Sequence, residues 1–172
     1  TAMVANLTIG KKGYEPHQEL MSHIAGVAGE QIKQFLADVD RDSEAYNGVF
    51  DCFKMPKTTD EEKAARSAAI QEATKYAAMV PMQVARNAFE MMDIISDVAH
   101  LGNRNAVTDA CVAMMAARSA VLGALMNVRI NLGSLKDAAF VSQIREEADK
   151  LEHAAREKER ILLDAVKQEL ES

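Results

Sequence analysis

The sequence predicts an all-α protein built as a bundle of long antiparallel helices, and two observations support this. The 172 residues include only three prolines, eight glycines and no tryptophan, while the helix-favouring residues alanine, glutamate, lysine and methionine are abundant. In the second half of the chain, apolar residues recur every three or four positions, which is the spacing of one helical face.

Length and composition favour one domain over residues 1–172, with an apolar fraction of 48% that suits a globular core. The net charge of −6 argues against a nucleic-acid partner, which usually requires a basic face. No apolar run approaches the roughly 20 residues that span a bilayer, so no membrane partner is predicted. Two isolated cysteines, Cys52 and Cys111, suit the reducing cytoplasm better than a disulfide scaffold.

Glycine, proline and capping residues divide the chain into five predicted helices, at about 1–9, 16–53, 59–99, 105–132 and 135–170. Gly10 and Gly13 bracket a turn after the first. Thr59 and Glu62, three residues apart, predict a capping box at the start of the third. Pro81 lies inside that helix and is predicted to kink or break it, because proline lacks the backbone donor and clashes with the preceding turn. The charged last helix is predicted to be a solvated amphipathic helix packed on the bundle.

The fourth helix has two contrasting faces. One is polar at its ends and nearly bare in the middle, and consists of Asp109, Ala113, Ala116, Ala120, Gly123, Asn127 and Asn131. Such a stripe either lets another helix approach closely or leaves room for a flat ligand with polar groups at its ends. Buried asparagines need partners, so Asn127 and Asn131 either bond to neighbouring backbone or contact a ligand. On the opposite face, Arg118 stands among apolar residues and predicts a buried pair with an acidic residue.

Five stretches of the chain carry a family resemblance, namely MVANLTIGKKGYE, DVDRDSEAYNGVFDCFKMPKTTDEEKAAR, VPMQVARNAFEMM, GNRNAVTDACVA and NVRINLGSLKD. Together they resemble the formiminotetrahydrofolate cyclodeaminase and methenyltetrahydrofolate cyclohydrolase family over about residues 3–140. Members of this family usually open with a proline- and glycine-rich turn and most of a helix before the first stretch. The chain is therefore expected to be N-terminally short relative to them.

The resemblance implies an enzyme of folate one-carbon metabolism. In cyclodeamination, N10 of 5-formiminotetrahydrofolate attacks the formimino carbon and ammonia leaves, giving 5,10-methenyltetrahydrofolate. In cyclohydrolysis, water attacks the methenyl carbon and the ring opens to 10-formyltetrahydrofolate. The two cannot be separated by sequence, and cyclodeamination is slightly favoured as the family's defining activity. A tetrahydrofolate derivative is the expected substrate, with no permanently bound cofactor or metal, in a cytoplasmic homodimer whose site lies near the subunit interface.

Both reactions need proton transfer, which a positioned carboxylate can provide. Asp109 is one candidate, as general base or as an anchor for donors on the pterin ring. The alternative for Asp109 is that it only satisfies free N–H groups at the helix N-terminus. Asp42 is the second candidate, in an acidic cluster with Asp38, Asp40 and Glu44, and it lies one turn from Tyr46.

Six further residues are candidates for substrate binding, namely Asn127, Asn131, Tyr46, Lys11, Lys57 and Lys136. The asparagines would contact polar atoms of the folate, and the lysines would steer its anionic glutamate tail. Tyr46 is either a folate-stacking ring or a core residue with its hydroxyl at the edge. Two other interpretations of the whole chain stay open. One is a catalytically inactive helical module for folate binding or oligomerisation, and the other is a non-enzymatic helical protein whose small-residue stripe is tight packing.

Overall fold

The computed structural model describes residues 1–171, which form five α-helices and no β-strand. The helices are α1 (Ala2–Asn6), α2 (Gln18–Phe53), α3 (Asp60–Leu101), α4 (Val107–Leu132) and α5 (Ala138–Glu171). One 3₁₀ turn, Glu15–His17, precedes α2, and another, Arg104–Ala106, precedes α4. The all-α prediction is confirmed, and the predicted helix ends differ from the observed ones by three residues or fewer.

The residues predicted to begin α3 and to form the turn after α1 have the expected backbone geometry. The Glu62 N–H donates to Thr59 Oγ1 at 3.2 Å, and the Thr59 N–H donates to Glu62 Oε2 at 3.2 Å. This reciprocal pair is the capping box that begins α3. Gly10 and Gly13 have φ angles of 73° and 91°, a region that favours glycine, so both glycines shape the turn after α1.

Helices α3, α4 and α5 share the main hydrophobic core. From α5 it includes Ile144, Ala148, Ala155, Leu162 and Val166. Most of the remaining surface of α5 is charged, with Ile161 and Leu170 also exposed, so the prediction of a solvated amphipathic helix is confirmed. The sequence predicts an acidic partner for Arg118, and in the structure this partner is Glu159 of α5. Glu159 Oε2 lies 3.0 Å from Arg118 Nε. Both side chains are partly buried, so this ion pair ties α4 to α5.

Two smaller clusters mark the ends of the bundle formed by α2, α3 and α4. At one, here the α1 end, α1 packs with Met21, Ile24, Val98, Ala106 and Ala110. At the other, the Pro81 end, Ala45 of α2 packs with Ala77 and Val80 of α3. Since α2 and α4 each reverse direction relative to α3, both run from the α1 end to the Pro81 end.

Pro81 lies inside α3 without ending it. The helix is continuous from Asp60 to Leu101, so the predicted break is wrong. Proline has no N–H, so Pro81 cannot satisfy the carbonyl of Ala77 one turn earlier. Asn131 of α4 does so instead, because its Nδ2 donates to Ala77 O at 3.0 Å and to Asn127 O at 3.1 Å. Of the two expectations for Asn131, backbone bonding is the one that the structure shows.

Helix α4 is more apolar than predicted from the sequence. The most apolar 18-residue window of Arg104–Leu132 has a mean hydropathy of 1.6, so this segment is long and apolar enough to cross a membrane by length and composition. The prediction that no run reaches this length is therefore wrong. Only 28% of the most apolar window is buried, and Val112, Met126 and Ile130 are exposed. Helix α4 thus contributes to the core on one side and presents apolar residues on another.

The role assigned to Asn131 can be tested by a double-mutant cycle. Asn131→Ala should lower the free energy of unfolding by about 1–3 kcal/mol, the cost of an unsatisfied buried polar group. In a Pro81→Ala background the same change should cost less, because residue 81 then supplies its own N–H to Ala77. Urea denaturation measures both values. Equal costs in the two backgrounds would contradict the assigned role.

Candidate functional site: a cleft between α2, α3 and α4

A cleft of about 790 Å³ opens between α2, α3 and α4, within the size range of sites for small organic ligands. Its floor is apolar and comes from α3, and the walls come from α2 and α4. The lining includes Ala28, Gln31, Ile32, Phe35, Asp38, Val39, Asp42 and Ser43 from α2, Pro81, Val84, Ala88, Met91 and Ile95 from α3, Ala113, Ala116, Ala117, Ala120, Ala124 and Asn127 from α4, and Thr1 and Ala2 at the α1 end.

The α4 wall is the small-residue stripe. Ala116 and Ala120 line the cleft and are exposed, so no helix is packed on them. A Cβ added to Gly123 would meet no atom within 4 Å. Of the two explanations for the stripe, close helix approach and room for a ligand, the structure of the single chain supports open room. The Asn127 side chain lines the same wall near the Pro81 end, four residues before Asn131.

The α2 wall carries the polar side chains. Gln31, Asp38 and Asp42 share one face, because they are separated by seven and four residues. Asp42 is exposed to the cleft, whereas Asp38 is buried with 3% exposure. Asp42 lies three residues before Ala45, which places it at the Pro81 end, as Asn127 is. Within residues 1–171, the lining contains two carboxylates and no lysine, arginine or histidine. The cleft therefore suits a flat ligand that carries positive charge or N–H donors.

Asp109 lies away from these groups. It belongs to the first turn of α4, at the α1 end, and its side chain is exposed and outside the lining of the cleft. Its carboxylate lies near Thr1, one of the lining residues at the α1 end. Asp109 and Asp42 are thus at opposite ends of the bundle and do not form one constellation.

The remaining predicted binding residues also lie outside the lining. Tyr46 is 68% exposed and stacks on Phe50 with ring centroids 6.5 Å apart, so the interpretation of Tyr46 as a core residue is wrong. Lys11 is at the α1 end, where its Nζ donates to Asn103 Oδ1 at 2.7 Å. Lys57 and Lys136 are exposed in the α2–α3 and α4–α5 connections, both at the Pro81 end.

Sequence reasoning did not select Asp38 or Gln31 for the site. Asp38 shares a helix face with Asp42 by its spacing of four residues, but aspartates in a charged helical run are usually solvated. What distinguishes Asp38 is its burial, which depends on tertiary packing. Gln31 carried no signal beyond its spacing of seven residues from Asp38.

Comparison with known proteins gives one family. The family model described as formiminotransferase-cyclodeaminase matches residues 1–150. A methenyltetrahydrofolate cyclohydrolase from Methylorubrum extorquens is 37% identical over 150 residues, which are 87% of this chain and 72% of the relative. A formimidoyltransferase-cyclodeaminase from mouse is 30% identical over 139 residues, which are 81% of this chain but 26% of that longer protein.

A solved structure agrees with these matches. The crystal structure of formiminotetrahydrofolate cyclodeaminase from Thermotoga maritima superposes with a TM-score of 0.81 at 27% identity. The match covers 96% of this chain and 80% of that one. The helical architecture described above is therefore that of a solved cyclodeaminase.

The openness of the α4 wall predicts how it tolerates larger side chains. Ala120→Leu should change the free energy of unfolding by no more than about 0.5 kcal/mol, because the added atoms enter the cleft. The matched change Ala110→Leu, at a position with no exposure, should cost about 1–3 kcal/mol through overpacking. Thermal or urea unfolding of both variants measures this difference. A comparable loss in Ala120→Leu would show that the stripe is packed against another surface in solution.

Proposed function

Because the chain belongs to the formiminotransferase-cyclodeaminase family, we propose that it is an enzyme of folate one-carbon metabolism and that the cleft between α2, α3 and α4 binds a tetrahydrofolate derivative. The proposed reactions are cyclodeamination of 5-formiminotetrahydrofolate and hydrolysis of 5,10-methenyltetrahydrofolate. The single observation that carries the site assignment is that one cleft contains an apolar floor, a bare alanine wall and the Asp42 carboxylate.

The chemistry of both reactions suits these walls. Each converts a planar one-carbon unit into a tetrahedral carbon bonded to N5 and N10, and each transfers protons. In cyclodeamination N10 loses a proton, the formimino nitrogen gains protons, and ammonia departs. In hydrolysis the attacking water gives up both of its protons as the formyl carbonyl forms, one to N5, which leaves the carbon as N–H, and one to solvent. A flat pterin fits against the alanines, and the cationic methenyl group is attracted by carboxylates in a cleft of low polarity.

Asp42 is proposed as the proton-transfer group. It is exposed to the cleft, so its carboxylate can accept a proton from N10 or from the attacking water. Asn127 lines the α4 wall at the same end and is proposed to bond to a polar atom of the substrate. Asp109, exposed at the α1 end, is the weaker candidate for catalysis, and its place in the first turn of α4 suits the positive helix N-terminus.

The lysines and Tyr46 would act outside the cleft. Lys57 and Lys136 lie at the Pro81 end, where they could attract an anionic glutamate tail that extends beyond Asp42. Tyr46 is one turn beyond Asp42 and offers an exposed ring in the same direction. Lys11 is at the other end and bonds to Asn103, so its proposed role in binding the tail is less favourable. Asn131 is proposed to support Asn127 through the bond to its backbone carbonyl.

We also propose a homodimer in the cytoplasm, acting without a permanently bound cofactor. The support is a set of exposed large apolar residues on two helices, Ile32, Leu36 and Val39 of α2 and Val112, Met115, Met126 and Ile130 of α4. Exposed apolar residues that are grouped on one helix face often mark a protein–protein interface. Since Ile32 and Val39 also line the cleft, a second subunit on this surface would lie beside the site. Sedimentation as a monomer with full activity on dilution would contradict the dimer.

Two parallel assays test the proposed activity. Release of ammonia from 5-formiminotetrahydrofolate reports cyclodeamination, and decay of 5,10-methenyltetrahydrofolate above its spontaneous rate reports hydrolysis. The 37% identity to a cyclohydrolase favours hydrolysis as one of the two. Saturable binding of these folates without turnover would instead support the inactive folate-binding module. The absence of binding would contradict the function.

Substitution of the two candidate aspartates separates their roles. Asp42→Asn keeps the shape of the side chain, so the fold should persist while turnover falls on the order of a hundredfold or more, as for a general acid–base group. Asp109→Asn is the matched control and should retain most of the turnover. Circular dichroism verifies folding, and kcat is measured for both reactions. Normal turnover in Asp42→Asn together with loss in Asp109→Asn would reverse the assignment.

A further inference from the structure

Asp38 is buried in the α2 wall of the cleft, and only one of its two carboxylate oxygens has a hydrogen-bond partner. Its side chain is 3% exposed, and it lines the cleft one turn before Asp42. Oδ1 accepts a hydrogen bond from Gln34 Nε2 at 2.9 Å and lies 3.0 Å from Arg41 Nη2. Oδ2 is buried and has no hydrogen-bond partner among the described residues.

A buried carboxylate oxygen without a donor is unfavourable, because it has lost its hydrogen bonds to water and has formed none within the protein. Gln31 Oε1, two turns earlier on the same face of α2, is also buried without a partner. Both side chains line the cleft, where apolar residues would pack at no such cost. Unsatisfied polar groups in a native fold call for a missing donor, either ordered water or a ligand.

We propose that Asp38 is a substrate-binding residue whose Oδ2 accepts hydrogen bonds from the donor edge of the pterin, the 2-amino group and the adjacent N3–H. The inference rests on the proposed folate function. Asp38 and Asp42 are one helical turn apart, about 6 Å along α2. That separation is comparable with the width of the fused pterin ring, so one carboxylate reaches the donor edge while the other reaches the one-carbon unit.

The network around Asp38 fits this role. Gln34 and Arg41 do not line the cleft and both contact Oδ1, and Arg41 places a positive charge beside the carboxylate. The terminal torsion of aspartate is soft, so a small rotation turns Oδ2 towards the cleft while the long side chains of Gln34 and Arg41 follow Oδ1. Asp42 is left free for proton transfer, and the two carboxylates have separate tasks.

The test compares two ligands on two proteins. Calorimetry measures Kd for 5-formyltetrahydrofolate and for its 2-desamino-2-methyl analogue, which lacks the amino donor. Wild-type protein should prefer the amino ligand by about tenfold or more, the effect of one hydrogen bond to a charged group. Asp38→Asn places an amide donor opposite the ligand donor, so this preference should largely disappear. The preference is the ratio of the two Kd values measured on the same protein. A modest loss of stability in the variant would weaken both ligands alike and leave this ratio unchanged.

Asp40→Asn is the matched control, because Asp40 is exposed on α2 and outside the lining of the cleft. It should keep the wild-type preference. If Asp38→Asn weakens both ligands equally, or keeps the preference, Asp38 is structural or bonds to water, and the inference fails while the folate function stands. If wild-type protein binds neither ligand, the proposed function fails and the inference with it.

Discussion

The hydrogen bond from Asn131 to the carbonyl of Ala77 is the interaction on which the site depends most. Pro81 leaves that carbonyl without its helical donor, and an asparagine of α4 supplies one across the α3–α4 interface. The bond fixes α4 against α3 at the end where Asp42 and Asn127 line the cleft. A slip or rotation of α4 would lose this bond and turn the alanine stripe away from α2. The position of the α4 wall therefore depends on a carbonyl of α3 that lacks its helical donor and accepts a hydrogen bond from α4 instead.

The three helices that form the cleft contribute different chemical groups to the proposed site. Alanines of α4 leave space for a flat ring, apolar residues of α3 exclude water beneath it, and α2 provides the charge through Asp38 and Asp42. Carboxylates act more strongly on a cationic one-carbon unit in such surroundings than in water. No metal or nucleotide is needed by this proposal, because the substrate is already electrophilic. The exposed apolar surface beside the cleft would place a second subunit at its rim.

Local signals predicted the fold well, whereas the proposed site depends on tertiary contacts. The capping box at Thr59, the turn glycines and the stripe of α4 depend on neighbours in sequence, so their spacing was sufficient. The predicted break at Pro81 is wrong because the energetic cost of proline in a helix falls when another helix supplies a donor to the free carbonyl. The sequence places Asp109 at the head of the stripe, whereas only the folded structure shows that this end of α4 lies at the α1 end, away from Asp42 and Asn127. The sequence does not single out Asp38, because the burial of an aspartate within a charged helix depends on tertiary packing.

The most direct test of this account is a crystal structure of the protein with 5-formyltetrahydrofolate, a stable relative of the proposed substrates. The account predicts the pterin between the alanine stripe of α4 and the polar face of α2, with N10 within about 3.2 Å of the Asp42 carboxylate, the reach of a proton-transfer group. A ligand bound beside Asp109 at the α1 end, with the cleft between Asp42 and Asn127 empty, would contradict it.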